Sequence, residues 1–218
     1  MSFLFNPSKP FHFPAGLSYE EQCAHSAELD SWLGLDVEAN EKKIQAELLK
    51  NPVSDQLWTS VPTKTFLTPY LEIHEMLTRL PLQKNQTIVD LGAGYGRMGI
   101  AIGYFFPEIH FLGYEIVQAR VSSAQRCFQK MNYTNAQIVC VDLSRSDFKP
   151  AVAEYYFIYD YGTRAAIEKT ILDLRDLPKP FTVIARGRAS RDCIERQHPW
   201  LSGIISPEHC GNYSIYRT

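Results

Sequence analysis

Along this chain, short runs of successive apolar residues alternate with stretches in which apolar residues recur every three or four positions. The runs Thr87–Leu91, Ile109–Glu115, Ala136–Asp142, Tyr155–Tyr159 and Phe181–Ala185 are rich in β-branched and aromatic side chains and end at polar or glycine-containing turns. They read as strands buried on both faces. The stretches between them, with Met98, Ile100, Ala101 and Ile102, then Val117–Met131 and Ala165–Leu174, read as helices. This alternation predicts an α/β fold, a doubly wound and mostly parallel sheet covered on both faces. Leu201–Ile205 and Asn212–Tyr216, separated by the turn SPEHCG, are expected to close it as an antiparallel C-terminal hairpin, making seven strands.

Upstream the pattern is different. Phe3, Phe5, Phe11 and Phe13 stand among Pro7, Pro10 and Pro14, an arm that is not regular helix and is expected to lie over an apolar surface. Ser18 with Glu21 three residues later is a capping box, predicting a helix to about Leu33. A second helix, Glu38–Leu49, sets Ile44, Leu48 and Leu49 against Glu41, Lys42, Lys43 and Glu47, and Asn51-Pro52 stops it. A Thr-rich loop broken by Pro62 follows, then a helix from Pro69, as its first residue, to Leu80. The expected division is residues 1–60 as arm and N-terminal helical extension, a cap or recognition element, and residues 61–218 as the α/β domain.

Composition narrows this little. A chain of 218 residues and 24.9 kDa supports one sizeable core. A net charge of −2 carries no basic excess and argues against broad binding of a phosphate backbone. The five cysteines are scattered, with no C-x-x-C pair, and the histidines are isolated, so neither a disulfide framework nor a metal site is expected. A reducing, cytoplasmic setting is the default. No apolar run reaches membrane-spanning length, so no membrane association is expected.

The chemistry gathers where the first strand meets its helix, at DLGAGYGRMG. Asp90 heads a loop in which Gly92, Gly94 and Gly96 alternate with Ala93 and Tyr95, and residues without a Cβ allow positive φ and close approach to a ligand. Glu115 ends the second strand roughly 20 residues on, where an acid can accept both hydroxyls of a ribose. Asp142 ends the third strand and is placed to accept from an adenine amine. Asp160 follows the fourth. Any one of these acids could be a solvated strand end. Their convergence at the carboxyl edge of a parallel sheet marks a ligand site.

With these residues, D-L-G-A-G-Y-G at 90–96, Y-E at 114–115 and V-D-L at 141–143, the chain resembles the class I S-adenosylmethionine-dependent methyltransferases over about residues 66–218. The resemblance implies S-adenosylmethionine as cofactor. It assigns Asp90, Gly92, Ala93, Gly94 and Gly96 to the methionine part, Glu115 to the ribose, and Asp142 with Leu143 to the adenine. It also places the methyl acceptor near Asp160 and Tyr161, with Asp160 expected to accept or orient the acceptor's proton and Tyr161 to form a hydrogen-bonding wall. The N/D-P-P-Y of enzymes acting on adenine or glutamine amides is absent. Tyr155, Tyr156, Phe157, Tyr159 and Tyr161 could instead face an ammonium group. Thr63–Tyr70 is similar to a segment of compact seven-strand lysine methyltransferases, which makes Thr68 and Tyr70 expected substrate-rim residues and a protein lysine amine the favoured acceptor. RNA or small-molecule acceptors stay open, as does a cofactor-binding module without catalysis. An NAD-dependent oxidoreductase also stays open, since Gly94–Gly99 fits G-x-G-x-x-G. It ranks lower: anchored on Gly92 the third glycine becomes Arg97, and Asp90 would crowd a pyrophosphate. Acceptor identity and oligomeric state are not legible.

Overall fold

The computed structural model describes residues 5–50 and 62–218, except the side chains of Leu49 and Lys64. Phe3, the Asn51-Pro52 helix stop and the 60/61 boundary lie outside the described residues. The N-terminal elements are α1 (Tyr19–Leu33), α2 (Val37–Lys50), α3 (Thr63–Phe66) and α4 (Tyr70–Thr78). Then come β1 (Thr87–Leu91), α5 (Arg97–Phe105), β2 (His110–Glu115), α6 (Gln118–Lys130) and β3 (Ala136–Cys140). The chain continues through β4 (Tyr155–Tyr159), α7 (Arg164–Arg175), β5 (Thr182–Arg186), α8 (Arg188–Gln197), α9 (Pro199–Ser202), β6 (Glu208–Cys210) and β7 (Tyr213–Arg217).

The seven strands form a single sheet in the order β3-β2-β1-β4-β5-β7-β6. β1 to β5 pair in parallel, and β7 runs antiparallel between β5 and β6. The period-two alternation of strand side chains sorts the core into two layers. Ile88, Phe111, Ile138, Phe157 and Ile215 face the layer that holds Tyr70, Ile73, Met98 and Phe128. Val89, Leu91, Tyr156, Ile158 and Val183 face Ile167, Ile171, Leu174 and Ile194. Asp90, two residues beyond Ile88, therefore points its carboxylate to the side of α4, α5 and the N-terminal helices.

Several boundaries depart from the expectations. The tail strands are not Leu201–Ile205 and Asn212–Tyr216 but β6 and β7: Pro199 opens a one-turn helix that takes up Leu201, and Ile204 and Ile205 are left exposed. The polar helix α8 was not anticipated, because only Ser190, Cys193 and Ile194 are buried along it and so few apolar positions carry no period. Thr63–Phe66 is a turn of helix rather than loop, and Pro69 is the N-cap of α4 rather than its first residue. β3 ends at Cys140, leaving Asp142 in the following loop.

The extension is seated as well as capped. The Ser18 capping box forms, and Gly34 closes α1 in a left-handed conformation. In the arm, Phe11 is buried and stacks on Tyr104 at 4.1 Å, while Phe5 and Phe13 flank the buried ring of His25. Asp30 of α1 holds the guanidinium of Arg97, the first residue of α5, through both its oxygens and also accepts from the Tyr70 hydroxyl at 2.9 Å. Arg97 donates further to the Thr68 carbonyl at 2.9 Å.

Removing one partner of a buried pair strands the other's charge. Asp30→Ala is expected to lower stability by about 3–5 kcal/mol, measured as the shift in urea midpoint. A paired Asp30→Leu/Arg97→Met variant is expected to lose less than Asp30→Ala alone.

Candidate active site

The carboxyl ends of β1, β2 and β4 lie side by side, with Asp90 opposite both Gly113 and Phe157. The chain leaves β1 through the glycine loop, where Gly92 N and Ala93 N both donate to the Tyr114 carbonyl, at 3.0 and 2.8 Å. Gly92, Gly94 and Gly96 all have positive φ. A Cβ on Gly92 would stand 2.4 Å from that of Tyr161, so the loop and the residue after β4 pass as closely as backbone allows.

Glu115 is buried, and each of its oxygens already accepts one backbone N–H: Gly94 on Oε2 at 2.8 Å, Val117 on Oε1 at 2.9 Å. One lone pair on each oxygen remains, enough to accept a vicinal diol. Arg120 Nη1 stands 3.7 Å from Oε1, outside hydrogen-bond range. Asp142 Oδ1 accepts from the Ser144 amide and hydroxyl, at 2.8 and 2.6 Å. Beside it, Ile116, Val141 and Leu143 give the cleft an apolar wall, and Phe66 of α3 lines it too.

Asp90 is 5 % exposed and has no hydrogen-bond donor or counter-ion among the described residues. Burial first, and the Glu115 charge second, push its carboxyl from an ordinary 3.8 up to about 8. It borders a smaller cavity on the other side of the glycine loop with Thr68, Met98 and Phe157. A buried acid lacking only a cation, a diol acceptor on the next strand and an apolar slot beyond it form a donor and acceptor set that fits an adenosyl group carrying an ammonium. The same acids would repel a pyrophosphate.

The acceptor end is built otherwise than expected. Asp160 accepts from the amides of Ala189 and Ser190 and from the Ser190 hydroxyl, at 3.1, 2.8 and 2.8 Å, and so caps α8. The Tyr161 hydroxyl donates to the Ala166 carbonyl at 2.9 Å and meets Thr170 Oγ1, and burial pushes its ionisation upward. Of the two residues expected at a substrate rim, Tyr70 is 0 % exposed and bonds Asp30, and Thr68, buried but lining the cavity beside Asp90, turns its carbonyl to Arg97. Phe66, Ile116 and Arg120 were missed. Ile116 directly follows the second-strand acid and could have been found. Phe66 and Arg120 reach the cleft only through long-range packing.

Comparison with known proteins agrees with this geometry. Residues 84–156, which carry β1, the glycine loop, Glu115 and Asp142, match a family of putative methyltransferases. The chain is similar to precorrin-6y C5,15-methyltransferase from Geobacter metallireducens, at 16 % identity over 72 % of this chain and 92 % of that one, TM-score 0.54. It is also similar to an RNA methyltransferase from Salinibacter ruber in complex with S-adenosyl-L-homocysteine, at 19 % identity over 69 % and 91 % of the two chains, TM-score 0.53. The fold is that of the class I S-adenosylmethionine-dependent methyltransferases. TrmN from Thermus thermophilus shares it at 12 % identity over 69 % of this chain, TM-score 0.54, but this chain spans 48 % of that one and only 43 % and 51 % of two other matched structures. No curated protein sequence matches the chain significantly. The antiparallel β7, inserted beside β5, also separates this methyltransferase sheet from the dinucleotide-binding order 3-2-1-4-5-6 and removes the support for an NAD-dependent oxidoreductase.

A carboxyl raised to about 8 keeps its proton in the folded chain, so its contribution lowers stability as pH rises from about 4 to about 8. A cationic ligand reverses this by taking the ionised form. Binding of S-adenosylmethionine at pH 7 is therefore expected to release a proton, seen as a dependence of the calorimetric heat on buffer ionisation enthalpy. Asp90→Asn is expected to abolish the release and weaken binding by about tenfold or more.

Proposed function

We propose that the chain methylates an amine nitrogen, with a protein lysine side chain as the favoured acceptor and S-adenosylmethionine as the donor. The observation that carries this reading is the acceptor end of the cleft, which has aromatic walls and acids nearby but, among the described residues lining it, no uncommitted base. Phe66 and Tyr159 stand there with Tyr161, and Asp160 is spent on capping α8. The Tyr159 ring is fixed from both sides: its hydroxyl donates to the Thr65 carbonyl, and the Arg186 guanidinium lies 4.4 Å from its centroid. Arg186 is itself held by Glu72 of α4, at 3.0 and 2.8 Å.

Bound S-adenosylmethionine supplies an electrophilic methyl group on a sulfonium. In this reading Glu115, oriented by the Gly94 amide, holds the ribose, Asp142, Ile116 and Leu143 the adenine, and Asp90 the ammonium. The protein's remaining task is alignment and exclusion of water. A lysine entering between Phe66 and Tyr159 loses its hydration, which favours the neutral amine and lets its proton leave to solvent before transfer. No side-chain base is then required.

RNA is a second reading. It is favoured by Arg164 and Arg188, exposed at the starts of α7 and α8 beside the carboxyl ends of β4 and β5, where they could meet phosphates. Transfer of label from methyl-labelled S-adenosylmethionine into a cell extract tests both. The expected product is protease-sensitive and yields methyl-lysine on hydrolysis. A nuclease-sensitive product would replace lysine by RNA, and cofactor binding without any labelled product would reduce the chain to a binding module.

Asp160→Asn separates cap from base. As a cap, its loss is expected to cost about 1–3 kcal/mol of stability and leave the shape of the pH–rate profile unchanged. A base would instead take about 10²–10⁴ from the rate with the fold intact.

A further inference from the structure

One carboxylate of α2 reaches the diol-accepting side of the site. Glu41, on the first turn and a half of α2, has a side chain only 12 % exposed, facing Arg120 near the start of α6. Its two oxygens take Arg120 Nε and Nη2 at 2.8 and 2.9 Å, a bidentate pair, and Oε1 also accepts the hydroxyl of Tyr95 in the glycine loop at 2.8 Å. The remaining terminal nitrogen of Arg120, Nη1, is the one 3.7 Å from Glu115 Oε1. Its guanidinium also lies over the Phe66 ring, 5.0 Å from the centroid. One acid on α2 therefore holds both the glycine loop and the cation nearest the diol-accepting glutamate.

The distances define a competition. The Arg120 side chain is 6 % exposed, so water cannot replace a lost carboxylate partner. Among the described residues, Glu115 is the other acid within 4.0 Å of Arg120. Closing the 3.7 Å gap would put a charge-assisted bond on the free lone pair of Oε1, which already accepts Val117 N.

We propose that Glu41 is a positioning residue for the cofactor site: by clamping Arg120 it keeps Glu115 free to accept the ribose diol, so cofactor affinity depends on the docking of α2. The extension then serves the cofactor half of the site and is not a separable recognition cap. This rests on the reading of Glu115 as the ribose acceptor.

A double-mutant cycle tests it on the full chain, read by calorimetric binding of S-adenosyl-L-homocysteine with thermal unfolding of each variant alongside. Glu41→Gln keeps the shape and an acceptor for Tyr95 but loses the charge that holds Arg120. It is expected to weaken binding by about tenfold or more in the wild-type background and by less than about threefold in an Arg120→Met background. Equal losses in the two backgrounds would mean that Glu41 supports the fold without positioning Arg120, and would overturn the proposal, as would undiminished binding by Glu41→Gln. Should Glu41→Gln not fold, Glu41→Asp, which keeps the charge and shortens the reach, gives the same cycle. Absence of binding by the wild-type chain overturns the cofactor reading itself, and the proposal with it.

Discussion

Asp90 is a buried ionisable group on an inner strand of the sheet, with no donor or counter-ion among the described residues to satisfy it. A carboxylate in that position costs stability whenever it is ionised, and a fold keeps such a group only where a ligand compensates it. The neighbouring architecture keeps the site open. β1 is an inner strand between β2 and β4, so the glycine loop is flanked on both sides by strand ends. The loop backbone turns its amides to Tyr114 and Glu115 rather than to Asp90, and Met98 and Phe157 close the apolar side.

The same logic of compensation explains the N-terminal helices. Two arginines of the α/β domain, Arg97 and Arg120, begin the helices after β1 and β2 and are nine-tenths buried or more. Each finds a counter-ion in the extension, Asp30 for the first and Glu41 for the second. Without residues 5–50, both guanidiniums would remain beside the cofactor loop with those charges missing. The extension and the sheet therefore share one electrostatic design, although a helical segment preceding an α/β pattern reads, in sequence, as an appendage.

That contrast marks what the sequence made legible. Local signals transferred directly: the Ser18–Glu21 box, the β-branched run of β1 and the aromatic run of β4, each recognisable from its own neighbours. Features built by distant residues did not. Arg120 meets Glu41 across 79 residues, and Tyr159 meets Thr65 across 94, so neither pairing leaves a trace in spacing. α8 is too polar to show a period, and it is what Asp160 serves. Position alone made that acid resemble a catalytic group, and only the amides of Ala189 and Ser190 reveal where its lone pairs go.

Charge also bears on turnover. Asp90, Glu115, Asp142 and Asp160 gather at the carboxyl edge of one sheet, beside two cavities whose other walls are largely apolar or aromatic and whose cations, Arg97 and Arg120, are paired with acids of the extension. Such an edge favours cations over phosphates, and at low effective dielectric the preference is larger than in water. Methyl transfer converts a sulfonium into a neutral thioether, so the attraction that favours the charged donor falls once the methyl has left. The ammonium and the ribose hydroxyls are common to both forms and, in the function proposed above, meet Asp90 and Glu115 in each. The difference between donor and product then lies in the field of the acids at that edge, which the apolar residues lining the cleft, by excluding water, strengthen.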